Sequence, residues 1–227
     1  MEKEIAKTDI ENSDEKELYV FKKVLVLFLV GLVFSMVSTL ALATSINGVP
    51  QILSFLAAFH YVGLILSFIS FFIARKINKS FLYAFITLTI YLILIYVVRL
   101  CESSVNAIDN QIGKGFNWSA SFVECIYHLY FFYGCFCCFK KHNLLSGAKR
   151  AKPSLIIFAC LFFVKEVFEY LSTAGFVRRN HFANRFFLYG HWGLVFLTYL
   201  SVFIIAVSFT NYLKKQIKMK EEARKDE

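Results

Sequence analysis

Six apolar stretches, separated by short polar turns, constrain this chain more than any other feature. They run about Val24–Ser45, Pro50–Ile73, Ser80–Val98, Asn117–Phe139, Pro153–Phe176 and Phe186–Leu213. A helix needs about 20 apolar residues to cross a bilayer, and in lipid the backbone polar groups must be satisfied internally, by helix or by a closed barrel. Runs of this length predict helix. The expected fold class is all-α, a polytopic integral membrane protein with six transmembrane helices. Hydrophobic residues make up 58% of the chain and aromatics 18%, too apolar for an ordinary soluble domain. Three parts are expected: a polar N-terminal arm over 1–21, a six-helix transmembrane domain over 22–213, and a charged C-terminal tail over 214–227. The arm carries seven acidic residues and three lysines without strong periodicity, which predicts a mobile or loosely helical cytoplasmic segment. The tail does not continue apolar heptads, so no coiled coil is expected there.

The basic residues give the orientation. With six spans, both termini lie on one side. That side would carry nineteen of the 25 lysines and arginines, the opposite side five, and Lys165 would lie within the membrane. The positive-inside rule then makes both termini cytoplasmic. Trp118 and Trp192 fall at the outer interface, where aromatic belts form. The net charge of +9 thus reads as a topology signal and a contact with anionic lipid headgroups, not as nucleic-acid binding. The cell (cytoplasmic) membrane is the expected location, with an organelle membrane as the alternative. Six cysteines form no CxxC pair and no disulfide framework.

The fifth stretch is unusual, because Lys165, Glu166 and Glu169 sit near its midpoint. Each ionisable residue at a helix centre costs about 2.5–3.5 kcal/mol on an insertion scale. The eleven Leu, Ile, Phe and Val residues between Leu155 and Leu171 return roughly 5 kcal/mol together. The segment is uphill alone and needs partners in neighbouring helices. At 1.5 Å per residue, His60, His128, Lys165 and Glu166 all fall roughly 15 Å deep. Glu124, Glu169 and His191 lie shallower.

Pairing explains part of this set without invoking function. Lys165–Glu169, Glu124–His128 and Arg99–Glu102 are each within one helical turn and can neutralise one another. Glu166 has no basic residue three or four positions away, so it calls for a group from another helix. The expected site is therefore Glu166, Lys165, Glu169, Glu124, His128 and His60, binding or transporting a small solute or ion. In the alternative, His60 and His128 hold a metal or a haem. A third reading is a non-catalytic subunit or assembly factor, whose partners would be other membrane subunits. No cofactor is expected on balance. HExxH, GxSxG, P-loop and dinucleotide-binding patterns are all missing, so enzymatic function is not the expectation. Phe187–His191 matches the FxxxH element of intramembrane CAAX-type proteases, but the paired-glutamate element is missing and the resemblance fails.

The small residues and prolines add packing expectations. Gly31, Ser35, Ser38 and Ser45 fall near one face of the first span, which predicts a close helix–helix approach. Pro50 and Pro153 are expected to open the second and fifth spans.

Overall fold

The structure is a computed structural model that describes residues 2–45, 58–102, 107–173 and 179–223, with the side chains of 2–15, 41–45, 99, 102, 107–114, 145, 173 and 223 excepted. The expected opening of the second span at Pro50 and the Arg99–Glu102 pair lie outside the described residues or side chains. Among the described residues there are six helices and no strand: α1 Glu2–Ser45, α2 Phe59–Ala74, α3 Lys79–Glu102, α4 Ala107–Lys141, α5 Leu145–Thr173 and α6 His181–Ala223. Four stretches within them are long and apolar enough to cross a membrane: Lys16–Leu40, Lys79–Val98, Gly115–Lys141 and His181–Glu222. That length and composition suit a membrane protein. α2, at 16 residues, is shorter, and α5 carries the charges noted above.

Several helices run past the apolar stretches that predicted them. α1 starts at Glu2, so the N-terminal arm is helical over its described length. α6 runs on to Ala223, which places the described part of the charged tail in the same helix. α4 begins at Ala107 and takes up most of what reads as the longest connection. α5 begins at Leu145, so Pro153 lies inside it rather than at its start. Hydropathy marks where a helix can sit in lipid, not where its hydrogen bonds stop. The actual ends are set by local capping. Asn180 Oδ1 accepts hydrogen bonds from the Phe182 and Ala183 amides, both at 3.1 Å, and starts α6 as an N-cap. Asn78 Oδ1 accepts from the Ser80 amide at 2.8 Å and does the same for α3.

The chain divides into two compact units. The first comprises Met1–Ser70 and Ile156–Glu227, and the second Phe71–Leu155. In the first unit, α1 meets the α2 segment along the small-residue face. A β-carbon on Gly63 would come within 2.6 Å of the Gly31 carbonyl oxygen and 2.5 Å of Ser35 Oγ. Ser70 Oγ donates to the Val24 carbonyl at 3.0 Å, and Phe34 and Phe59 meet edge to face. Small side chains let the two backbones approach this closely. The pairs Val24–Ser70 and Gly31–Gly63 run in opposite senses, so the helices are antiparallel.

α6 also packs on α1. The Tyr19 hydroxyl donates to a Glu221 carboxylate oxygen, joining the polar ends of the two helices. Leu18, Phe21, Val24, Leu25 and Phe28 of α1 are buried, as are Ile217, Leu213, Phe209, Ala206 and Val202 of α6. Both sets lead away from the Tyr19–Glu221 bond into the apolar segments, so these helices are antiparallel too.

In the second unit, α3 packs along α4 through an aromatic column. The Phe81 ring lies tilted against that of Phe131, 5.8 Å between centroids, and fills the space above Gly134. Tyr83 meets Tyr130, and Tyr91 meets Tyr127. The order again makes the pair antiparallel. α4 ends in a Schellman motif: the Leu144 amide donates to the Phe139 carbonyl at 2.8 Å, and the Asn143 amide to Lys140 at 3.2 Å. Asn143 takes φ of 58°, the left-handed conformation that this turn requires. Leu144 and Phe139, both buried, add the accompanying apolar contact. Asn143→Gly should leave the melting temperature of the purified protein unchanged or slightly raised. Asn143→Val should destabilise by about 1–2 kcal/mol, because a branched β-carbon clashes there. Equal melting temperatures for the two variants would refute the role of this turn.

α2 and the apolar part of α5 expose apolar faces. On α5 beyond Leu155 the exposed positions are Ile156, Ile157, Cys160, Phe163, Val164, Val167 and Tyr170, and the buried ones Phe158, Phe162 and Lys165. On α2 the exposed face carries Tyr61, Val62, Ile65, Ile69, Phe72 and Ile73, and the buried face Gly63, Leu64, Ser67, Ser70, Phe71 and Ala74. Water-facing helices carry polar residues on the exposed face instead.

Candidate functional site

The charged run of α5 occupies the boundary between its buried and exposed faces. The positions Ala151, Ser154, Phe158, Phe162 and Lys165 recur at three or four residues and form the buried stripe. Lys165 ends that stripe and is only 6% exposed. Its ammonium lies 3.0 Å from Glu166 Oε1 and 4.0 Å from the centroid of the Phe162 ring. Phe162 stands one turn earlier on the same face, so helix geometry brings its π-face under the cation.

The expectation that Glu166 lacks a local basic partner is corrected by this geometry. Adjacent helical residues point about 100° apart, which disfavours contact for short side chains. Lysine and glutamate are both long, and here they bend toward each other across the edge of the stripe. The pairing is nonetheless incomplete. Glu166 Oε1 is buried and has no hydrogen-bond partner among the described residues, because the ammonium meets it outside hydrogen-bond geometry.

α6 reaches this site from the opposite side. His191 Nδ1 lies 3.4 Å from the Lys165 carbonyl oxygen, so the ring donates there from its Nδ1–H tautomer. One turn away Phe168 packs over Gly190, where an added β-carbon would sit 2.6 Å from the ring. Phe186 and Phe187 flank Phe168 at 6.1 and 5.4 Å. The glycine thus lets α5 and α6 approach closely enough for the histidine to span the gap. His191 was not among the expected site residues. Its partner is a backbone carbonyl, which every residue has, so no pattern of residue types marks it.

The remaining expected residues distribute as follows. Glu169 belongs to α5, where its carbonyl accepts from Ser172 Oγ at 2.7 Å. His60 lies in α2, half-buried, with its ring edge-on to Tyr61. Lys165, Glu166, Glu169, His191 and His60 all belong to the first unit. Glu124 and His128 belong to the second. His128 is 2% exposed, its ring stacked 4.2 Å from that of Tyr127. Its Nδ1 donates to the Glu124 carbonyl oxygen at 3.0 Å. The one-turn spacing of Glu124 and His128 therefore produces a ring-to-backbone bond. With Nδ1 engaged in that bond, a metal at His128 would have to be held through Nε2.

Compared with known protein families, curated proteins and solved structures, the chain matches none.

Proposed function

We propose that this is a multi-pass membrane protein of six spans, with both termini cytoplasmic, whose polar site at Lys165–Glu166 binds or passes a small solute or ion. Support for six spans comes from the exposed apolar faces of α2 and α5. Exposed faces made of Ile, Val, Phe and Tyr suit contact with lipid. The Tyr19–Glu221 bond supports a common side for the polar ends of α1 and α6, and the nineteen-to-five distribution of basic residues supports the cytoplasm as that side.

One observation carries the functional reading: the buried Glu166 Oε1 that has an opposing charge but no hydrogen-bond donor among the described residues. A site built only for packing gains nothing from an acceptor left unsatisfied. An arriving proton, cation or hydrogen-bond donor would satisfy it. Lys165 then holds the carboxylate when the ligand is away, and His191 steadies the backbone that carries Lys165.

The test uses the protein reconstituted in vesicles with an entrapped pH-sensitive dye, under imposed proton, sodium and potassium gradients. The wild-type chain should dissipate at least one gradient faster than empty vesicles. Glu166→Gln should reduce that flux to the empty-vesicle level, with the variant still extracting as a monodisperse folded protein. Undiminished flux in Glu166→Gln would remove Glu166 from the mechanism.

A further inference from the structure

The second unit has a strongly cationic end that the site above does not use. α3 and α4 are antiparallel, so the turn leading into α3 and the turn leaving α4 lie at the same end of this unit. Arg75, Lys76 and Lys79 surround the first turn, and five lysines and arginines lie between Lys140 and Lys152. No acidic residue occurs from Phe71 to Cys101, nor from Cys125 to Leu155. Lys76, Lys79, Lys140 and Lys149 are exposed and have no ion-pair partner among the described residues. Both turns are held by their caps, Asn78 at one and the Asn143 Schellman motif at the other. These charges are therefore carried on fixed backbone rather than on loose loops.

The surroundings of this end are apolar and open. The Arg75 guanidinium lies 3.8 Å from the centroid of the exposed Phe72 ring, and Lys152 Nζ lies 5.8 Å from that of Phe136. The Phe136–Lys152 contact folds the start of α5 back along the end of α4. Ile73, Tyr83 and Tyr133 expose further apolar surface beside the cations. A ligand suited to this end carries several negative charges on one part and hydrocarbon on the other. A soluble anion would use only the first feature.

We infer that the cationic end of the second unit holds the multiply charged headgroup of an anionic phospholipid, with the acyl chains along the exposed aromatic flank. Cation clusters placed directly at the end of membrane helices attract such headgroups, and a polyphosphorylated one matches the four exposed lysines Lys76, Lys79, Lys140 and Lys149. The inference rests on the membrane reading above.

The experiment is flotation and lipid retention with the full chain reconstituted in three membranes. One is phosphatidylcholine alone, one contains phosphatidylserine, and one contains phosphatidylinositol bisphosphate at matched total charge. Native mass spectrometry of the extracted protein then reports which lipid is retained. The expected result is at least tenfold preference for the bisphosphate lipid over phosphatidylserine. The variant Lys76→Gln/Lys79→Gln/Lys140→Gln/Lys149→Gln should lose that preference. A matched variant, Lys214→Gln/Lys215→Gln/Lys218→Gln/Lys220→Gln on α6, should keep it. Free inositol trisphosphate should fail to displace the lipid, because it lacks the apolar part. Equal retention of all three lipids, or equal loss in the two variants, overturns the site while leaving the membrane reading intact. Displacement by the soluble headgroup overturns the choice of a lipid. Failure of the chain to float with any vesicle overturns the membrane reading and this inference together.

Discussion

Replacing Lys165 alone by Met should destabilise the folded protein by about 3–5 kcal/mol, the usual cost of leaving a buried charge uncompensated. Glu166 Oε1 is buried and meets the Lys165 ammonium at 3.0 Å. Without that cation the carboxylate must either stay ionised among apolar side chains or take up a proton. The double replacement Lys165→Met/Glu166→Gln should recover most of the loss. Met follows the path of the lysine stem over the Phe162 ring, and the amide carries no charge to compensate. Unfolding titrations of wild type, both single variants and the double variant form the cycle that measures this. A coupling near zero would mean that the two groups do not interact in the folded protein. The same four proteins separate packing from transport. If the pair only fixes helix packing, the stable double variant should assemble and work normally. If the pair handles a ligand, the double variant should be stable and inactive.

The second large effect concerns the α1–α2 contact. Gly63→Val should prevent close packing, because the added carbon meets the Gly31 carbonyl oxygen at 2.6 Å and Ser35 Oγ at 2.5 Å. The serine can rotate, but the carbonyl belongs to a helix backbone and cannot. Overpacking costs about 1–3 kcal/mol where side chains can adjust, and here the upper end or more is expected. The readout is the melting temperature and the monodispersity of the detergent-purified protein. Gly193→Ala is the control, since nothing lies within 4 Å of a β-carbon placed there. A Gly63→Val protein with the melting temperature of Gly193→Ala would show that the helices do not approach as described.

Some elements were legible in advance and others were not, and particular residues explain the difference. The face of Gly31, Ser35 and Ser38 was readable because side-chain size alone permits the approach. Pro153 misled, since a proline can open a helix, but α5 starts at Leu145. The Schellman turn at Asn143 ends α4 so tightly that α5 begins before the proline. Hydropathy reads the arm as mobile or loosely helical and does not extend α6 into the tail for another reason. Leu18, Phe21 and Ile217 are too sparse for an apolar run, yet each is buried where α1 and α6 pack.

The sequence by itself determined the helical class, the apolar segments and the presence of costly charges in the fifth of them, because these follow from composition and spacing along one chain. Only the tertiary structure decided which groups those charges meet. Lys165 turns to its neighbour Glu166 rather than being limited to partners one turn away, and His191 arrives from another helix to a backbone carbonyl. Contacts of that kind depend on the distance between helices, which Gly190 sets by admitting the Phe168 ring. Distance between elements is a property of packing in three dimensions, and no spacing of residue types along the chain encodes it directly.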